Sequence, residues 1–290
     1  MFERIKLEDL INDDVKDFDF KQSFESSKID LTKLVERPPL ALSIGFDDKE
    51  YNGVHYPLRY GTFGNISMIK GEEKARKSFL KSMLLACAIG GKSNNYTNNI
   101  EIRGHELQDK YIIDIDTEQD EYDVWLNAIR IPKMVGKIPP NYISIQWRKY
   151  TPNERKQLLE WLYMESEYKN NLGLVSLDGY VDCLKNFNDL EESSEFTQSL
   201  MTYTSLTKSH LTGVLHLNPN SDKARGHLGT ILQNKCETVV IIKDMGEFSH
   251  VKCQRARGKK FNDFAIRVDN DWMPYISDDD IFEAKDIKLS

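Results

Sequence analysis

Short apolar runs and amphipathic segments alternate along the chain from Asn65 onward. Four helical segments separate five runs that have the length of a strand, which are residues 66–70, 111–116, 142–145, 173–178 and 212–218. These runs are apolar on both faces, as expected of strands in a parallel sheet with helices on both sides. The pattern therefore predicts an α/β fold built on a mainly parallel sheet.

Local signals place two of the helices more closely. In "KSFLKSMLLACAIGG" the apolar residues recur at helical spacing, and Gly90–Gly91 is predicted to end the helix. In "TPNERKQLLEWLYMESEYK" Thr151 is the expected N-cap, and Pro152 suits the first turn.

The two ends of the chain depart from this alternation. After residue 236, "ETVVII", "FSHVKC" and "FNDFAIRVD" are strand-like runs with short joins, which predicts an antiparallel extension of the sheet. Residues 1–57 are acidic, lack a sustained apolar stripe and contain Pro38–Pro39. We therefore expect a partly ordered N-terminal arm over residues 1–57 and one domain over residues 58–290.

Composition narrows the class of protein. Of 290 residues, 40% are hydrophobic and 29% are charged, which is ordinary for a globular protein. No run approaches a membrane span, and the first residues lack the apolar segment of a signal peptide, so we expect a cytoplasmic protein. The cysteines (Cys87, Cys183, Cys236 and Cys253) form no C-x-x-C pair, which favours buried thiols over a zinc site.

The net charge of −7 argues against a general basic surface for nucleic acid. It leaves open binding through a narrow basic channel.

The stretch "GEEKARKS", Gly71–Ser78, nearly matches the phosphate-binding pattern G-x-x-x-x-G-K-[ST]. Arg76 stands where the pattern has its second glycine. The stretch follows a predicted buried strand and opens a predicted helix, where backbone N–H groups and the helix N-terminus attract an anion. A charged, solvated helix start is the alternative interpretation.

Polar residues follow three other predicted strands. Asp116 and Glu118 follow the second strand, Asp178 the fourth, and His216 and Asn218 the fifth. Ligands of such sheets bind beyond the carboxyl ends of the strands. Each residue alone could be a cap or turn residue, but together with the loop they predict a site.

The series "GEEKARKS … DIDTEQ … GLVSLDGYVD … GVLHLNPNSDKARGHLGT … KCQRARGKKFNDFAIRVD" resembles the RecA-like ATPases, in particular the branch of hexameric replicative helicases and plasmid RepA proteins. The resemblance covers roughly residues 58–275. It implies a RecA-like mainly parallel sheet flanked by helices, ATP and Mg²⁺ as cofactors, single-stranded DNA as partner, and self-association into a hexameric ring.

The resemblance also implies residue roles at the nucleotide. Lys77 becomes the phosphate residue, and Ser78 and Asp178 become the magnesium residues. Glu118 matches the glutamate that polarises the attacking water, and His216 and Asn218 match γ-phosphate sensors. The remaining expected nucleotide contacts are the loop and the start of its helix, namely Gly71, Glu72, Glu73, Lys74, Ala75, Arg76 and Phe79.

Two basic groups are expected to act elsewhere. "RARG" resembles the stretch that supplies arginine fingers to a neighbouring subunit, which implies that role for Arg255 and Arg257. The segment after His216 corresponds to a mobile loop that faces DNA, where Lys223 and Arg225 could grip phosphates.

The departure at Arg76 requires its own expectation. Glycine permits a positive φ, so we expect a loop that keeps φ negative at Arg76. The Arg76 side chain would then add a charge near the phosphates or point to solvent. We also expect Gly226 and Gly229 to provide loop flexibility.

Three functions remain open at this point. The first is an ATP-driven helicase or translocase in DNA replication, mobilisation or recombination. The second is an ATP-binding regulator or assembly scaffold with weak or no hydrolysis. The third is a structural interaction protein with an inactive site. Retention of Glu118, Asp178 and the two arginines favours hydrolysis.

Overall fold

A computed structural model describes residues 18–90, 102–218 and 222–277 of the chain. The described residues fall into two units, 18–37 and 38–277. The division therefore comes earlier in the chain than the boundary that the sequence predicts at residue 57. That predicted boundary remains a proposal, and the part of the expected arm before residue 18 lies outside the described residues.

The first unit contains one short helix, α1 (Phe20–Ser26). The Asp19 carboxylate caps it by accepting a hydrogen bond from the backbone N–H of Gln22 at 2.8 Å. No residue of 18–37 is buried. Its large apolar side chains are exposed, namely Phe18, Phe20, Phe24, Ile29, Leu31, Leu34 and Val35.

The described part of the second unit contains twelve strands and five helices. The strands are β1 (Leu40–Tyr51), β2 (Val54–Thr62), β3 (Ile66–Gly71), β4 (Ile102–Gly104), β5 (Tyr111–Asp116), β6 (Tyr142–Gln146), β7 (Leu172–Asp178), β8 (His210–His216), β9 (Thr238–Asp244), β10 (Ser249–Ala256), β11 (Phe264–Val268) and β12 (Pro274–Ser277). The helices are α2 (Lys77–Gly90), α3 (Glu121–Val135), α4 (Pro152–Met164), α5 (Leu190–Thr207) and α6 (Gly226–Lys235).

Nine of these strands form one sheet in the order β12-β11-β10-β9-β3-β8-β7-β5-β6. The six strands from β9 to β6 are parallel, and β10, β11 and β12 continue the sheet in antiparallel pairing. The predicted fold class is therefore confirmed. Strand β9, which the sequence grouped with the antiparallel extension, pairs in parallel with β3 and antiparallel with β10.

Apolar side chains cover both faces of the sheet. One core cluster joins the sheet to α2, to the end of α3 and to strands β1, β2 and β4. The other joins it to α4, α5 and α6. Every residue of β3 is buried, which explains why the run is apolar without alternation.

A second, three-stranded antiparallel sheet has the order β2-β1-β4. Residues 40–51 and 54–57 of this sheet lie in the region for which the sequence predicts a partly ordered arm. Buried Glu237 links it to the large sheet, because its carboxylate accepts from the Thr62 N–H and hydroxyl at 2.8 Å and pairs with Arg59 at 3.2 Å. The sequence reasoning missed this sheet because β1 contains a charged run near its end, residues 47–50, and β2 contains Pro57, a residue that disfavours a strand interior.

Helix α6 corrects the expectation for Gly226 and Gly229. Gly226 starts the helix with φ of 71°, and Gly229 is buried within it. A Cβ at Gly229 would lie 2.6 Å from the Ala224 Cβ, so close packing explains this glycine, and loop flexibility does not.

The described cysteines, Cys87, Cys183, Cys236 and Cys253, are free and buried, as the sequence predicts. Among the helices of the described ranges, none is both long enough and apolar enough to cross a membrane. Gly91, the second residue of the predicted helix stop, lies outside the described residues, and α2 is described to Gly90.

Gly213 tests the packing of the central sheet. A Cβ at this position of β8 would lie 2.3 Å from the ring of Tyr180, which is fully buried and donates its hydroxyl to the Ser67 carbonyl at 2.9 Å. Gly213→Ala should therefore lower the free energy of unfolding by about 1–3 kcal/mol, the usual effect of overpacking. Urea denaturation measures it.

Gly90→Ala is the matched control, because nothing lies within 4 Å of a Cβ there. Equal unfolding midpoints for the Gly213 and Gly90 variants would contradict the predicted clash.

Candidate functional site

The carboxyl ends of four adjacent strands form a row of functional side chains. In the sheet, Gly71 at the end of β3 pairs with His216 at the end of β8. Asp178 ends the next strand, β7, and pairs with Asp116, which ends β5. Neighbouring strands lie about 4.8 Å apart, so these strand ends lie side by side, at the edge where the sequence predicts a site.

The predicted loop connects β3 to α2, which begins at Lys77. The Lys77 ammonium donates to the carbonyl oxygens of Gly71, at 3.1 Å, and of Glu72, and lies 3.3 Å from Nδ1 of His216. Burial lowers the pKa of Lys77, while the carboxylates of Asp178 and Glu118 oppose that shift. Lys77 therefore lies at the junction of the loop and the strand-end row.

The rest of the loop has few buried side chains. Glu72, Glu73 and Lys74 are exposed and Ala75 is buried. Lys74 has φ of 62°. Such a loop presents backbone groups rather than side chains.

Ser78 and Phe79 follow in the first turn of α2. Ser78 is partly buried. The Phe79 ring lies under the Arg130 guanidinium at 4.0 Å and stacks with the indole of Trp272 at 6.5 Å between centroids.

The expectation that φ stays negative at Arg76 is wrong. Its φ is 65°, so the residue occupies the left-handed region that the missing glycine would favour. Its side chain is 22% exposed and forms an ion pair with Asp244 at 2.8 Å. Arg76 therefore neither keeps φ negative nor points to solvent, and its guanidinium binds the turn between β9 and β10.

Lys81 is a site residue that sequence reasoning missed. It lies one helical turn after Lys77 and is fully buried, with its ammonium 3.1 Å from the Asp114 carboxylate and 3.2 Å from that of Asp178. These carboxylates and that of Asp116 raise its pKa and outweigh the opposing effect of burial. A lysine inside an otherwise apolar helix was the available signal, because burying an unpaired ammonium is costly.

Asp116 organises the turn after β5. Its Oδ1 accepts from the backbone N–H groups of Glu118, at 2.9 Å, and Gln119, at 2.8 Å. Burial raises the pKa of Asp116. Asp116 thus fixes the backbone from which Glu118 projects.

Glu118 and His216 face each other across the site. Glu118 is 69% exposed, and its Oε2 lies 3.9 Å from Nε2 of His216. Loss of hydration raises the pKa of Glu118, and the carboxylates of Asp182 and Asp178 add to this. Burial, and next the Lys77 charge, lower the pKa of His216, which favours the neutral imidazole at pH 7.

The segment between β8 and α6 carries the other predicted residues, although Pro219, Asn220 and Ser221 lie outside the described residues. Asn218 donates its backbone N–H to the Lys223 carbonyl at 3.0 Å. Arg225 precedes α6, and its guanidinium lies 5.0 Å from the Phe187 ring. The two basic residues predicted for DNA, Lys223 and Arg225, are thus on the connection that leaves His216.

Lys70 is a second lysine that sequence reasoning missed. It is buried in β3, and its ammonium donates to the Asp222 carbonyl at 2.7 Å and to the Gln233 side chain at 2.8 Å. Burial lowers its pKa to about 8. Lys70 ties the segment before α6 to the strand that carries the loop.

Arg255 and Arg257 lie away from the strand-end row. Arg255 pairs with Val239 near the start of β9, whereas Gly71 pairs with Ile242 towards the end of that strand. Their guanidinium groups donate to carbonyls at the C-terminus of α6, Arg255 to Gln233 at 2.7 Å and Arg257 to Lys235 at 2.8 Å. Such contacts are favourable at the negative end of a helix.

The arrangement suits a magnesium–triphosphate. Mg²⁺ usually takes one or two protein oxygens and fills its other positions with phosphate and water, which matches the Ser78 hydroxyl and the Asp178 carboxylate. The residues described contain no cluster of three His, Cys, Asp or Glu side chains that would form a protein-only metal site.

Comparisons with known proteins place the fold. No family model matches the chain, and no curated protein matches it. Among solved structures, the crystal structure of the RadB recombinase superposes with a TM-score of 0.52 and 14% identity, and the match covers 75% of this chain and 94% of that one. The chain thus has the α/β fold of that RecA-like protein.

Proposed function

We propose that this chain is a RecA-like ATPase that uses Mg²⁺ and acts on DNA in replication, mobilisation or recombination. The observation that carries the proposal is the position of Lys77, which belongs to the end of a loop that nearly matches the P-loop pattern and lies 3.3 Å from His216. The similarity of fold to a recombinase supports a role with DNA.

Each residue of the row receives a role that suits its surroundings. Lys77 binds the β and γ phosphates, and the Ser78 hydroxyl and Asp178 hold Mg²⁺. Mg²⁺ neutralises charge on the phosphates. Glu118, with its raised pKa, accepts the proton of the attacking water, and neutral His216 together with Asn218 senses the γ-phosphate.

The contacts of Arg255 and Arg257 with the C-terminus of α6 support a role outside the site of their own chain. Val239, which pairs with Arg255, lies three residues along β9 from Ile242, which pairs with Gly71, on the order of 10 Å at about 3.3 Å per residue, and Arg257 lies farther away. We propose that they act at the γ-phosphate of a neighbouring chain in a hexameric ring, with single-stranded DNA bound by Lys223 and Arg225.

An ATP-binding regulator or assembly scaffold with weak or no hydrolysis is the second candidate. The net charge of −7 favours it, because such a charge argues against a general basic surface for nucleic acid. Two measurements separate the two candidates. One is the ATP turnover rate with and without single-stranded DNA, and the other is the mass of the assembly in the presence of ATP. Stimulation by DNA and a ring-sized mass support a helicase or translocase. DNA-independent turnover supports the regulator.

Lys77→Ala should weaken binding of Mg-ATP at least about tenfold, because it removes charged hydrogen bonds to phosphate. A fluorescent ATP analogue measures the Kd. Lys137→Ala is the control, since Lys137 is an exposed lysine just after α3 and is not among the expected nucleotide contacts. Unchanged affinity in Lys77→Ala would remove the loop from nucleotide binding.

Glu118→Gln should bind ATP with near-normal affinity and lose about 10²–10⁴-fold in hydrolysis, because only proton transfer from water is lost. Phosphate release measures the rate. The control is Glu121→Gln, which neutralises an exposed glutamate nearby at the start of α3. Equal rates for the Glu118 variant and the wild type would exclude Glu118 as the base.

Mixing of inactive subunits tests the shared site. Arg257→Ala keeps Glu118, and Glu118→Gln keeps Arg257, so a mixed assembly contains interfaces with both groups intact. Each variant alone should be strongly impaired, although by less than the 10³–10⁵-fold typical of arginine fingers in GTPases. Mixing should restore part of the ATPase rate.

Lys252→Ala is the control for charge on the same strand, because Lys252 is an exposed residue of β10. Full activity of Arg257→Ala by itself would end the shared-site proposal.

A further inference from the structure

Arg76 occupies a backbone conformation that a residue with a Cβ adopts reluctantly. Its φ is 65°, and two residues earlier Lys74 has φ of 62°. Glycine reaches this region without steric cost, whereas other residues require support from their surroundings. The phosphate loop therefore needs an interaction that keeps Arg76 in place.

The guanidinium supplies four such interactions with the turn between β9 and β10. Its Nη1 donates to Asp244 Oδ1 at 2.8 Å, to Ser249 Oγ at 2.9 Å and to the Phe248 carbonyl at 3.2 Å. Its Nη2 donates to the Gly246 carbonyl at 2.7 Å. An arginine fork is well suited to several fixed acceptors at once.

The turn is itself held by hydrogen bonds. Asp244 Oδ1 accepts from the Gly246 N–H at 3.0 Å, and the Met245 N–H donates to the Phe248 carbonyl at 2.9 Å. Gly246 has φ of 87°. Arg76 therefore binds a structured turn anchored in two strands of the large sheet.

We propose that Arg76 is a positioning residue that clamps the phosphate loop to the β9–β10 turn and so holds the loop ready for phosphate. The inference rests on the proposed nucleotide site. It implies that Asp244, a residue of the turn, controls nucleotide affinity through Arg76. Preorganisation of this kind improves affinity because less ordering is left to binding.

If the Arg76 charge instead acted directly on the phosphates, removing the Asp244 charge would have the opposite effect on nucleotide affinity. If Arg76 bound phosphate, Asp244 would compete for its guanidinium, and removing the Asp244 charge would strengthen binding. If Arg76 is a clamp, removing that charge weakens binding. The sign of the Asp244 effect separates the two roles.

The experiment measures the Kd of a fluorescent ATP analogue with Mg²⁺, alongside the thermal midpoint, for the full chain. Asp244→Asn, which keeps a side-chain oxygen for the Gly246 N–H, should raise the Kd about threefold to tenfold. Arg76→Ala should raise it about tenfold. The double variant should bind no more weakly than Arg76→Ala. Arg76→Gly should bind better than Arg76→Ala, because glycine restores the backbone freedom.

Glu247→Gln is the matched control. Glu247 belongs to the same turn, is 84% exposed and pairs with Arg267 at 3.0 Å, away from the loop. Its Kd should equal that of the wild type. The thermal midpoints should change little across the series, so that a loss of affinity reports on the loop.

Two outcomes overturn the inference in distinguishable ways. If Lys77→Ala weakens binding but Asp244→Asn binds as tightly as the wild type or more tightly, the clamp is wrong and the nucleotide site stands. If Lys77→Ala binds the ATP analogue with normal affinity, the proposed nucleotide site is wrong, and the clamp proposal, which rests on it, is wrong as well.

Discussion

The pairing of β3 with β8 on one side and β9 on the other is the constraint on which the site depends. Both pairings are parallel and end at Gly71, which is opposite His216 and Ile242. Because β3 is buried at every residue, a shift of register would displace its whole set of core contacts. The same hydrophobic packing that stabilises the sheet therefore fixes where the loop begins relative to His216.

Helix α2, which follows the loop, places two lysines at different parts of the site. Residues four apart lie on one face of a helix, so Lys77 reaches the loop while Lys81 reaches Asp114 and Asp178 beneath it. Without Lys81, the buried Asp114 and the neighbouring Asp178 would both lose their ion-pair partner. The Lys81 ammonium thus stabilises the acidic strand ends, and the buried Lys77 ammonium contacts the carbonyls of the loop.

The sequence predicted the parts of this fold that depend on local pattern. Periodicity predicts the buried strands and the helices. The rule that parallel strands end at one edge predicts the strand-end row beside Lys77. The side-chain conformation of Arg76 did not follow, because its acceptors near Asp244 are far along the chain. The sheet of β1, β2 and β4 was missed for a similar reason, since contacts between residues far apart in the sequence, such as those of Glu237 with Thr62 and Arg59, stabilise it.

Helix α6 has a mechanical consequence. Its first residue follows Arg225, whose N–H donates to the His216 carbonyl at 3.2 Å, and its last carbonyls bind Arg255 and Arg257. Ten residues of helix span about 15 Å and behave as a stiff rod on this scale. A displacement of the helix at its His216 end would therefore also move its other end, which binds the two arginines. The position of the strand-end row at His216 would then be coupled to the positions of Arg255 and Arg257.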